Sequence, residues 1–106
     1  MPKYMIHASY SVDGIKGVLK EGGTSRRAAV EAAIKALGGK LEAFYFAFGE
    51  HDVVGIVDGP DNVTAAAFSM AVAASGTVRS HTTVLLTPEE VDQAAKKTVS
   101  FRGAGH

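Results

Sequence analysis

The chain has 106 residues, and its eleven basic and eleven acidic side chains cancel. That length predicts one domain, 1–106, with a modest core, and the charge balance excludes a broad electrostatic footprint for nucleic acid or an anionic membrane. With no cysteine, a disulfide framework, thiolate metal sites and a cysteine nucleophile are excluded as well.

Lys3 to Tyr10 alternates, with Tyr4, Ile6, Ala8 and Tyr10 on one face and Met5, His7 and Ser9 on the other, which predicts a strand. No signal peptide or long apolar span accompanies it, so the expected location is the cytoplasm, without membrane association. Between Ser11 and Gly23, Val12, Ile15, Val18 and Leu19 have helical spacing. Gly14 and Gly17 each weaken a helix by about 1 kcal/mol, so a short helix or turn ending at Gly22-Gly23 is expected. Thr24 or Ser25 can cap the next helix. Val30, Ala33, Ile34 and Leu37 form its apolar stripe, and Gly38-Gly39 stops it.

Lys40 to Phe48 is rich in aromatics and predicts a second strand, followed by a four-residue hairpin connection from Gly49 to Asp52 and a third strand from Val53 to Asp58. Gly59-Pro60-Asp61-Asn62 breaks that strand and caps a helix running to about Ser75, before Gly76. Its many alanines predict a backbone lying close to the sheet. Thr77 to Leu86 is the fourth strand. Thr87-Pro88-Glu89-Glu90 then supplies a cap, a proline at the first helical position and a capping-box glutamate. The last helix should run to roughly Lys97, with 98–106 a loose tail.

The order β-α-β-β-α-β-α defines an α+β class, a ferredoxin-like sandwich (βαββαβ) with one extra C-terminal helix. Its four-stranded antiparallel sheet has the order 4-1-3-2, with helices on one face only. Strands two and three carry apolar side chains on both sides. A monomer would leave an apolar sheet face in water, which soluble monomers rarely do. Face-to-face homodimerisation, or a higher oligomer, is the expected resolution.

Across nearly its whole length the chain resembles the GYD-domain family of small proteins. The resemblance takes in Lys3-Tyr4, Ser25-Arg26-Arg27, Gly38-Gly39 and Leu85-Leu86-Thr87-Pro88-Glu89-Glu90. The signature glycine, tyrosine and aspartate map to Phe48-Gly49-Glu50-His51-Asp52, where Gly49 and Asp52 fit, Glu50 intervenes and His51 stands at the tyrosine position. The resemblance implies a dimeric α/β-barrel of ferredoxin-like fold. It implies no activity.

His7 and His81 lie on strands expected to be antiparallel neighbours, each on the more polar side. Two imidazoles on one face can bind a metal, shuttle a proton or polarise a carbonyl; spacing supplies no third metal ligand, so no metal site is expected. Arg79 and Tyr45 are secondary candidates for the same cavity. In His51-Asp52 the carboxylate can orient the imidazole, or it can simply bond turn amides while Gly49 supplies an unusual backbone angle. Arg26-Arg27 opens a helix where cations oppose the macrodipole, which suits an anionic ligand or a partner's carboxylate. Gly14-Ile15-Lys16-Gly17 is a lone GxxG match, and the order of elements is wrong for a nucleic-acid-binding loop. Two function classes follow: a module binding a small ligand between protomers, or a small cofactor-free enzyme using His7 or His81 as acid–base. No cofactor is specified, and the expected partners are a second copy of the chain and a small molecule.

Overall fold

A computed structural model describes residues 1–106. The elements are β1 (Lys3–Tyr10), α1 (Val12–Glu21), α2 (Gly23–Ala36), β2 (Lys40–Phe46), β3 (Val53–Asp58), α3 (Asn62–Ala74), β4 (Val78–Leu85) and α4 (Pro88–Ala95). The strands form one antiparallel sheet in the order β2-β3-β1-β4, the ferredoxin-like arrangement. No helix is long and apolar enough to cross a membrane.

The register assigns the faces. Leu41–Val57, Phe44–Gly55 and Phe46–Val53 are cross-strand partners, and Tyr4–Val57, Ile6–Gly55 and Ala8–Val53 continue them into β1. This is the helix side: Ile34, Leu41 and Val57 form the core cluster, with Ile6, Val30, Phe44 and Phe68 packed against it. A bulge between Leu41 and Ala43 makes the pattern possible. One extra residue, Glu42, shifts the alternation so that Leu41 and the pair Phe44, Phe46 all turn inward. Glu42 and Asp58 both accept from Lys3 Nζ, at 2.6 and 2.8 Å, joining β1, β2 and β3 at one end of the sheet.

Several local expectations change. Of the two forms expected after β1, a short helix or a turn, the segment takes the helix, ten residues long and ending at a Gly22 cap. Ser11 caps it, accepting from the Gly14 amide at 3.1 Å, and Gly14 is buried because a Cβ there would run into the Thr77 carbonyl oxygen. The glycine is a packing requirement, not a breaker. α2 begins at Gly23 behind a Gly22 cap that has no side-chain bond, so neither Thr24 nor Ser25 is the cap. β2 ends at Phe46, not Phe48, and residues 47–52 form a longer connection closed by Ala47 N–H to the Asp52 carbonyl at 2.8 Å. The left-handed residue in it is Phe48 (φ 53°), not Gly49. α3 turns Phe68 and Val72 toward the sheet. Most of its alanines are exposed, so they do not draw its backbone onto the strands as expected. α4 carries the complete capping box of Thr87 and Glu90, with Pro88 at its start, but stops at Ala95 rather than near Lys97.

Only nine of the 106 residues are buried. α2 rests on β2 and α3 on β4, whereas α4 has no substantial packing against any other element. The radius of gyration is 16.9 Å, with extents of 55 × 33 × 22 Å, against about 13 Å for a compact domain of this length.

Candidate functional site

The side of the sheet away from the helices carries Met5, His7 and Ser9 from β1, Val54 and Ile56 from β3, Ala43 and Tyr45 from β2, and Arg79, His81 and Thr83 from β4. Directly opposed residues on antiparallel neighbours point to the same side. The register opposes Tyr45 to Val54, Val54 to His7 and His7 to His81, so these four form a row straight across the sheet. Arg79 opposes Ser9 one step along the same face.

The connection from β2 to β3 adds a third imidazole. The His51 ring stacks on that of His7, with centroids 4.6 Å apart and planes inclined by 4°. It meets the His81 ring edge-on at 6.1 Å. The expected pair of histidines is therefore a trio, with His51 lying against both of the others. Strand alternation alone would send His51 to the helix side with Val53. Because 47–52 is not strand, that parity does not hold, and no periodic signal in the sequence marks His51 as a member.

Asp52 does not orient His51. Its Oδ2 accepts from the Tyr10 amide at 2.9 Å, and its own amide donates to the Ala8 carbonyl at 2.8 Å. The carboxylate ties the connection to the end of β1, bonding a strand amide rather than the turn amides. No carboxylate joins the rings: the ion pairs are Lys3 with Glu42 and Asp58, and Arg26 with Glu21 at 3.3 Å. No set of three His, Cys, Asp or Glu side chains is disposed to hold a metal ion.

Arg26 and Arg27 lie apart from the imidazoles. Arg26 sits on the helix side, bordering with Tyr10, Val30, Phe44 and Phe68 a cleft of about 80 Å³ between α2, α3 and the sheet. Arg27 is exposed. The Tyr10 phenol is held above its ordinary pKa by burial, with Arg26 opposing the shift. The cleft is mainly apolar, with Tyr10 and Arg26 its titratable side chains.

The fold and the uncovered imidazole face define an α+β protein of ferredoxin-like architecture. The chain belongs to the GYD domain family, whose model matches residues 4–95. No curated protein and no solved structure matches it.

Proposed function

We propose that the protein is a small homo-oligomeric binding module that takes a small ligand in a cavity closed between the open sheet faces of two protomers. The observation that carries this reading is the convergence of His7, His51 and His81 on a face that no helix covers. Around them lie Met5, Val54, Ile56 and Tyr45, so a second sheet packed here would exclude water over apolar side chains and leave the imidazoles as the polar groups of the cavity. Such a composition, mostly apolar with a few converging polar groups, is that of small-molecule sites. Tyr45 at one end of the row and Arg79 one step beside it supply further donors.

A second reading is a cofactor-free enzyme in the same cavity. It is favoured by the proximity of three imidazoles, a group able to accept and deliver protons.

A native mass spectrum of the purified protein tests the proposal. A dimer or higher oligomer retaining a small molecule is expected, and replacing His7, His51 and His81 together by alanine should abolish retention without changing the oligomer mass. A monomer mass at micromolar concentration, or undiminished retention in the triple variant, overturns it. A retained molecule that wild type converts, and the triple variant binds unchanged, would replace it with the enzyme reading.

A further inference from the structure

Phe48, with φ 53°, is the only residue other than glycine with a positive φ. Contact of Cβ with the backbone makes that conformation unfavourable for an aromatic residue. Gly49, next in the chain, could adopt it at no steric cost, yet the left-handed turn falls on the phenylalanine. Such a turn persists only where surrounding contacts impose it. The connection from β2 to β3 is held at both ends. At one, the Phe48 ring stacks on that of Phe46, with centroids 5.7 Å apart and planes inclined by 10°. Phe46 is fixed in turn, edge-on to Phe44 at 5.3 Å and against Gly23 at the start of α2, where an added Cβ would come within 2.9 Å of its ring. At the other end Asp52 is tied to Ala8 and Tyr10 of β1.

Between these anchors the chain crosses from one side of the sheet to the other. Phe48 joins Phe44 and Phe46, which belong to the helix side, and three residues later the His51 ring lies on His7 at the open side. Gly49 and Glu50 are exposed. The segment 48–51 has one backbone bond of its own, from the Gly49 N–H to the His51 carbonyl at 3.1 Å, and that bond alone does not set where the imidazole lies.

We propose that Phe48 is a positioning residue of the imidazole site: its ring, stacked on Phe46, holds the left-handed turn that lays His51 on His7. Its functional consequence rests on the reading of the imidazole face as the binding site. Phe48 lies on the helix side and acts through His51, as a supporting residue locks the geometry of one that meets the ligand.

The test replaces Phe48 with residues that accept the turn but cannot stack. Phe48→Gly takes a positive φ without strain, and Phe48→Asn tolerates the left-handed region, whereas Phe48→Tyr keeps the stack. In wild type and Phe48→Tyr, side-chain NMR should show a nuclear Overhauser cross-peak between the ring protons of His7 and His51, with a His7 ring resonance moved upfield by the stacked imidazole. Both signals should be lost in Phe48→Gly and Phe48→Asn, while the cross-strand backbone signals of the pair His7 and His81 remain. In native mass spectra, a small molecule retained by wild type and Phe48→Tyr should be lost from the two unstacked variants.

A cross-peak that survives in Phe48→Gly or Phe48→Asn, with only the urea midpoint lowered, makes the stack merely stabilising and overturns the proposal. Loss of the cross-peak in Phe48→Tyr overturns it too. Ring contacts that follow the stack in a wild type retaining no molecule leave Phe48 as the positioning residue and overturn the binding reading alone.

Discussion

Two glycines three residues apart on one helix behave oppositely. A Cβ at Gly14 would meet the Thr77 carbonyl and the Tyr10 ring, while one at Gly17 meets nothing within 4 Å. Gly17→Ala should stabilise the protein by about 0.5–1 kcal/mol through helix propensity and a less flexible unfolded chain. Gly14→Ala must push α1 off the turn before β4, and overpacking of this kind costs about 1–3 kcal/mol. Urea unfolding of the two variants should give midpoints on either side of wild type. Asp52 offers a second check. Asp52→Ala leaves the Tyr10 amide without its acceptor, a loss of about 1–3 kcal/mol for a charge-assisted bond, and Asp52→Asn, which keeps an acceptor oxygen, should lose less. Tyr10 gives a signature at high pH. Burial raises its pKa in the fold, so the stability linked to its neutral form is complete below the unfolded value near 10 and lost as pH rises through the folded one. Thermal melts should fall less steeply at alkaline pH in Tyr10→Phe.

At the scale of elements, Asp61 caps α3, its Oδ1 accepting from the Thr64 amide at 2.7 Å. That bond, joined by the Thr64 hydroxyl, lowers the pKa of the carboxyl. The stabilisation is present above the ordinary carboxylate range and lost as pH falls through the lowered value. Asp61→Asn should therefore flatten the acid limb of the melting profile while keeping the cap. The strand and helix order was legible because alternation in Lys3–Tyr10, the Pro60-Asp61-Asn62 break and the Thr87–Glu90 start are local signals. Less legible were features set by distant contacts. α1 looked fragile because the reason for Gly14 lies at Thr77, 63 positions away (77 − 14). β2 looked two residues too long because Ala47 and Phe48 are apolar, yet Phe48 has turned into the left-handed region. The pairing of His7 with His81 followed from topology, whereas His51 joined them through a loop whose geometry no period describes.

For the whole molecule, the sheet orders the chain unusually in time. Its central strand is the first one, β1, hydrogen-bonded to β3 on one side and β4 on the other. Its partners include Val53 to Asp58 and Val78 to Leu85, so neither neighbour exists until more than half of the chain has been made. During synthesis β1 leaves the ribosome with both edges open and waits for them. Pairings of such long sequence separation pay loop closure before they gain contacts. The protein should consequently fold slowly for its size, and stopped-flow refolding should run nearer the millisecond-to-second range of non-local topologies than the microseconds of helical bundles. A circular permutant that opens the chain between β3 and α3, at Gly59-Pro60, with the old termini joined by a flexible linker, would bring β4 and β1 close in sequence while keeping the β2–β3 hairpin local. It should refold faster than the natural order at equal stability.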